Sequence, residues 1–226
     1  VKRKLAIFDF DGTVYPGRSL PFLCLEFKNF SRSRFRYYHI IASFGALYLL
    51  YKMGILAGER SKERALVKFI NLFREEPKDR IIEFFARVYR NMKKRFCTEV
   101  VNEARTLKAK GYTLVLISGA CQPLLENVAA ELGFDVVIGT NVPVKAGKFD
   151  SNGEIVYISG PRKVPALLNV LKPSEVDFQN SYAFADSYSD LAVLELVGHP
   201  VAVRPDRHLH QVARAKGWRI IGEPKK

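Results

Sequence analysis

Short apolar runs alternate with amphipathic stretches along most of this chain. Residues 5–10, 112–117, 135–138, 181–185 and 201–203 are apolar enough and short enough to be buried parallel strands, and 218–221 reads as a sixth. Helical periodicity fills the intervals at 99–110, 122–132, 163–171, 190–197 and 206–216. Gly111, Gly133 and Gly217 stand where helix C-caps belong. Strands alternating with helices predict an α/β fold, a Rossmann-like parallel sheet flanked by helices and joined by right-handed crossovers.

Two stretches break the alternation. Residues 142–158 carry Pro143, Gly147, Asn152 and Gly153 among alternating apolar positions, and predict a β-hairpin. Residues 17–96 read as all-helical. Ile81, Ile82, Phe85, Val88, Tyr89, Met92 and Phe96 form one helical stripe. Leu66, Phe69, Ile70 and Phe73 form a second, and Ile40, Ile41, Phe44, Leu47, Tyr48 and Tyr51 a third. Ala42, Ser43, Gly45 and Ala46 lie largely off the third stripe, where their small size would admit another helix. The expected organisation is an α/β core from residues 1–16 and 97–226, with an inserted all-helical domain at 17–96.

Charge sharpens this division. The chain of 226 residues carries a net +13, and residues 17–96 hold 18 Lys and Arg against 7 Asp and Glu, a net +11. Nearly all the excess charge therefore sits on the insertion, which favours anionic partners. The three cysteines, Cys24, Cys97 and Cys121, have no metal-ligand spacing and read as free thiols in a reducing compartment. The apolar run after Lys4 is too short for a signal-peptide core. The expected location is cytoplasmic, with the basic segment able to rest on the inner face of the membrane.

Candidate chemistry collects at the carboxyl ends of the strands, where open α/β sheets bind ligands. Asp9 and Asp11 follow the first strand, Ser118 the second and Asp186 the fourth, while Lys163 opens a helix on the same side. Three neighbouring carboxylates repel one another and call for a cation. Oxygen ligands suit Mg²⁺. One carboxylate can attack phosphorus, a second can move the proton, and Lys163 with the Ser118 hydroxyl can bind phosphoryl oxygens. Cys121 lies close by, but no histidine is placed to activate it.

These motifs resemble the haloacid dehalogenase superfamily. Asp9-Phe10-Asp11-Gly12-Thr13 is similar to its first motif, and Leu116-Ile117-Ser118-Gly119 to its second. Lys163 within Gly160-Pro161-Arg162-Lys163 resembles the third, and Ala185-Asp186-Ser187-Tyr188-Ser189-Asp190 the fourth. The insertion matches the helical cap of the phosphoserine phosphatase-like branch. The resemblance implies a Mg²⁺-dependent phosphatase acting on a small phosphorylated substrate through an aspartyl-phosphate. It makes Asp9 the nucleophile and a metal ligand. Asp11 is the general acid/base and lends its main-chain carbonyl to the metal. Asp186 is the third ligand, Asp190 a support for metal-bound water or Lys163, and Ser118, Gly119 and Lys163 the phosphate binders. Phosphoserine phosphatases carry a glutamate for the substrate amino group early in the cap. Arg18 stands in that neighbourhood here and Glu26 is the next carboxylate, so Arg18 becomes a candidate contact for an anionic part of the substrate.

The cap admits three readings. Lys28, Arg32, Arg34 and Arg36 interleave with Phe27, Phe30, Phe35, Tyr37 and Tyr38, and the apolar stretch 40–50 follows. The preferred reading is a buried cap helix beside a solvated basic turn, since such a run is more often core than membrane-spanning. The second is an interfacial segment on an anionic membrane surface, with a phospholipid or lysophospholipid substrate. The third is nucleic-acid binding; no nucleic-acid motif is present and that partner is not expected. A phosphotransferase is the nearest other enzyme, and a non-catalytic anion- or membrane-binding protein the alternative of another class. The sequence does not define an oligomeric state.

Overall fold

The computed structural model describes residues 2–30, 34–55 and 58–225, apart from the side chains of Arg34 and Arg36. Arg32, one of the basic residues singled out above, lies outside the described residues. Strands β1 (Leu5–Phe8), β2 (Thr113–Cys121), β3 (Val136–Thr140), β6 (Tyr182–Ala185), β7 (His199–Val203) and β8 (Arg219–Ile221) form one sheet in the order β3-β2-β1-β6-β7-β8. Every pairing in it is parallel. The remaining two strands, β4 (Val144–Lys145) and β5 (Lys148–Phe149), pair antiparallel as a separate hairpin.

The helices of the α/β part are α5 (Thr98–Ala109), α6 (Gln122–Leu132), α7 (Lys163–Val170), α8 (Leu191–Glu195) and α9 (Arg207–Ala215). Between β1 and β2 the chain forms α1 (Ser19–Phe30), α2 (Arg34–Lys52), α3 (Gly58–Ile70) and α4 (Lys78–Met92), with no sheet strand among the described residues there.

The period of two in the strands sorts the core into two layers. Ala6, Phe8, Leu114, Leu116, Phe184, Val201 and Val203 point to one face, and Leu5, Ile7, Val115, Ile117, Ala183 and Ala202 to the other. The second face is covered by Leu167, Leu194 and Leu209 from α7, α8 and α9. The first continues without a break through Phe10, Val14 and Leu23 into the helical insertion. There Phe27, Phe69, Phe73, Phe84 and Phe85 pack ring on ring at centroid separations of 5.2–6.2 Å. On the sheet itself Phe8 stacks on Phe184 at 4.3 Å.

Several expectations need correction. The hairpin is confined to 144–149, where Ala146 and Gly147 both take positive φ and close a two-residue turn. Residues 150–158 are instead held in turns and by Asn141, whose side chain bonds Glu154 and Val156. On α4, Phe84 is buried and Ile82 is exposed, because the inward face is offset from the stripe read in the sequence. The third stripe divides. Ile40 and Leu47 are buried with Phe44 partly so, while Ile41, Tyr48 and Tyr51 face solvent. Helix α2 packs on α1 and α3 through one narrow face, so most of its circumference stays open. Among the described residues nothing lies within 4 Å of a Cβ placed on Gly45, so no described helix uses that gap.

The aromatic cluster joins α1, α3 and α4 into one body. Phe84→Ala should cost about 3–5 kcal/mol, read by urea denaturation. A loss below about 1 kcal/mol would show that the cluster contributes little to holding the helices together.

Candidate active site

Sheet order places the site. Strand order runs outward from β1 in both directions, so the crevice at the carboxyl end of β1 is the topological switch point. Asp9 follows β1 directly, and its N–H donates to the Phe184 carbonyl at 2.9 Å, extending the β1–β6 pairing by one step. Asp186 follows β6 in the same way and faces Asp9 across the crevice. The chain turns sharply after Phe10: Tyr15 N–H bonds the Phe10 carbonyl and Gly12 N–H the Tyr15 carbonyl. Gly12 sits at φ +89°, and a Cβ there would fall 2.0 Å from Asp186 Oδ2. Both the left-handed conformation and the close approach of Asp186 require glycine.

β2 runs longer than expected, through Cys121, but its register against β3 shifts between Ile117 and Cys121. Ser118 and Gly119 occupy that irregular segment, and Ser118 is buried. Lys163, the first residue of α7, reaches across to Asp9 Oδ1 at 2.7 Å and Asp190 Oδ1 at 2.9 Å. Asp11 turns the other way. Both its oxygens accept from Ser19, the first residue of α1, at 2.8 Å from the amide and 2.8 Å from the hydroxyl. The insertion therefore holds Asp11 by a helix N-terminus.

Asp9, Asp186 and Asp190 bring one oxygen each to within 4.8 Å of one another. So much buried negative charge shifts the proton equilibria. Burial, reinforced by Asp9, pushes the Asp11 carboxyl up to about 7, against its bonds from Ser19. Burial raises Asp190 to about 6, opposed by Lys163. Asp186 is raised by burial and by Asp9, with Lys225 and Arg18 opposing. Burial alone would depress the Lys163 ammonium, but Asp190 and Asp9 outweigh it and hold it above its usual range.

Asp186 Oδ1 is buried without a hydrogen-bond partner, while Oδ2 meets the Lys225 ammonium and lies 3.8 Å from Arg18. A buried all-oxygen donor set with an orphaned lone pair fits a hard divalent cation such as Mg²⁺.

A cavity of about 310 Å³ collects these groups. Asp9, Asp11, Ser118, Gly119, Lys163, Asp186 and Asp190 line its floor. Arg18, Ser19, Leu20, Pro21, Ser61, Lys62, Ala65 and Leu66 from the insertion form its roof. Every site residue named from the sequence is present in this lining. Glu26 is not; it binds Arg87 and Asn91 instead. Cys121 is buried, with its thiol pushed up by burial, and among the described residues no histidine lines the cavity.

Some participants were not read from the sequence. Arg204 follows β7 and donates to the Gly12 and Thr13 carbonyls at 3.0 and 2.9 Å, pinning the loop that carries Asp9 and Asp11. Its place at a strand's carboxyl end was the available signal. Glu59 and Glu63 of α3 clasp Ser159 at 2.8 Å and Arg162 at 2.9 Å, tying the roof to the loop before Lys163. Nothing local in the sequence marks these contacts, or that of Lys225.

A sequence model of the haloacid dehalogenase-like hydrolases matches residues 6–195. A Streptomyces azureus protein named for inhibition of morphological differentiation is 34% identical over 128 residues, 54% of this chain and 46% of that one. A phosphoserine phosphatase of Mycobacterium tuberculosis is 32% identical over 112 residues, 49% of this chain and 36% of that one. The chain spans less than half the length of these curated relatives. The solved structure of a Bordetella pertussis protein of unknown function superposes with a TM-score of 0.80 at 22% identity, over 98% of this chain and 99% of that one, a likeness of fold.

Lys163 is the buried cation between Asp9 and Asp190, so removing it strands both carboxylates. Lys163→Met should destabilise the metal-free protein by about 3–5 kcal/mol at pH 7, measured by urea unfolding. Acidification toward pH 5, which protonates raised carboxylates such as Asp190, should shrink that deficit. An unchanged midpoint would show that Lys163 does not compensate the cluster.

Proposed function

The chain belongs to the haloacid dehalogenase-like hydrolases, and from that premise we propose that it is a Mg²⁺-dependent phosphatase that hydrolyses a phosphate monoester through an Asp9 acyl-phosphate. The observation that carries this reading is Asp9 at the switch point, held by Lys163, with Asp186 and Asp190 gathered around it. Residues 1–16 and 97–226 form the catalytic part in this reading, and 17–96 the cap.

Asp9 and Asp186, with the main-chain carbonyl of Asp11, would hold Mg²⁺. When bound, the ion offsets the repulsion between an anionic nucleophile and an anionic phosphate. Asp190 bonds Lys163, which favours its role in orienting that ammonium. Lys163, the Ser118 hydroxyl and the Gly119 amide bind the phosphoryl oxygens.

In the first step an Asp9 oxygen bonds to phosphorus as the bond to the leaving oxygen breaks, and Asp11 gives that oxygen its proton. A carboxyl raised to about 7 still carries a proton near neutrality, which suits Asp11 to the task. In the second step water attacks phosphorus, Asp11 takes its proton, and the bond to Asp9 breaks to release phosphate. Because Ser19 holds Asp11, seating of the cap and placement of the acid are coupled.

The leaving group lies under the roof. Arg18, Lys62 and Ser61 supply its polar contacts, and among the described residues no carboxylate of 17–96 lines the cavity. A leaving group bearing an anion or hydroxyls suits this roof, and an ammonium such as that of phosphoserine does not. Leu20, Pro21, Ala65 and Leu66 add an apolar wall.

Two measurements test this reading. Asp9→Asn should lower Mg²⁺-dependent phosphate release from an aryl phosphate by about 10³-fold or more, while Arg18→Ala chiefly raises KM for an anionic substrate. Release equal in wild type and Asp9→Asn would remove Asp9 as nucleophile. Mg²⁺ should also raise the melting temperature in proportion to the logarithm of its concentration, and Asp186→Asn should abolish the rise. An undiminished rise in that variant would place the ion elsewhere.

A further inference from the structure

Helix α2 presents apolar residues on a face that meets solvent. Phe35, Tyr38, Ile41, Tyr48, Leu49 and Tyr51 are exposed, Phe35 to 79% and Leu49 to 59%. Tyr38, Ile41, Gly45, Tyr48, Leu49 and Lys52 fall on one side at helical spacing, opposite the buried Ile40 and Leu47. Met53 and Ile55 extend the exposed apolar surface past the helix end, at 63% and 64%. A contiguous patch of this kind is rare on a surface that meets only water.

Helix α2 itself carries charge of one sign. It contains Arg34, Arg36 and Lys52 and no carboxylate. Across residues 17–55 the only acidic residue is Glu26, already engaged by Arg87 and Asn91. The cations stand at the two ends of the helix, and Tyr37, Tyr38, Tyr48 and Tyr51 stand just inside them around a mostly apolar middle. Helix α2 is about 28 Å long. No helix among the described residues is long and apolar enough to cross a membrane.

We propose that the outer face of α2 docks on an anionic bilayer surface, with Tyr38, Ile41, Tyr48 and Leu49 entering the headgroup boundary and the terminal cations meeting lipid phosphates. Amphipathic aromatic rings and flanking cations are what such a boundary accommodates. Charge complementarity selects this occupant over a second copy of the chain. Two α2 faces packed parallel or antiparallel would bring cationic ends against cationic ends, and neither helix carries an acid of its own. Docking needs no catalysis, so it stands apart from the phosphatase reading.

The test is vesicle flotation of the full chain with phosphatidylglycerol or with phosphatidylcholine vesicles, at low and high salt. The variants are Tyr48→Ser with Leu49→Ser, and Lys52→Glu, each checked by circular dichroism. None of these residues lines the cavity, so turnover of a soluble aryl phosphate serves as a second check on folding. The wild type should float with phosphatidylglycerol vesicles and not with phosphatidylcholine. The double variant should need about tenfold more lipid or worse for half-maximal binding. Lys52→Glu should weaken binding mainly at low salt. Failure of the wild type to bind phosphatidylglycerol vesicles, or equal binding by the double variant, would overturn the proposal. So would a dimer, seen by light scattering, that the double variant converts to monomer without any lipid binding, since the face would then belong to a second copy.

Discussion

Three buried carboxylates within 4.8 Å of one another cannot all be charged in a low-dielectric crevice without cations, and the architecture of this protein is organised around that constraint. Lys163 is the fixed part of the compensation, planted at the start of α7 and bonded to two of the three. Arg18 and Lys225 approach the third. What remains is an orphaned oxygen on Asp186 and a set of oxygen donors, the residue of charge that a divalent ion would neutralise. The tight turn at Gly12 and the Arg204 clamp keep the loop bearing Asp9 and Asp11 against this cluster.

The same imbalance gives the two aspartates Asp9 and Asp11 different environments. Asp9 is tied to Lys163 in the sheet, and Asp11 to Ser19 in the cap. One group sits where an anion is compensated, and the other where burial and a neighbouring anion favour the protonated form. In the proposed mechanism this difference of environment lets two identical side chains, two residues apart, serve as nucleophile and proton donor.

Much of this was legible in the sequence for a physical reason. Parallel strands buried on both faces are nearly continuous apolar runs, so their carboxyl ends, and the polar residues standing there, can be marked directly: Asp9, Ser118 and Asp186. Side-to-side placement was harder to read. Ile82 and Phe84 exchanged roles because an apolar stripe two residues wide does not specify its inner edge. Helix α2 was expected to be buried, yet hydrophobicity shows that a surface avoids water and not what covers it. Contacts joined by long sequence separations, such as Arg204 to Gly12 and Glu59 to Ser159, leave no local periodicity to find.

In the proposed mechanism phosphorus is bonded to Asp9 during turnover. The most direct measurement is an acid quench during steady-state hydrolysis, followed by borohydride reduction of acyl phosphates and peptide mass spectrometry. That mechanism requires reduction of the side chain at position 9, dependent on substrate and on Mg²⁺. Turnover with residue 9 unmodified, or with the modification at Asp11, would contradict it.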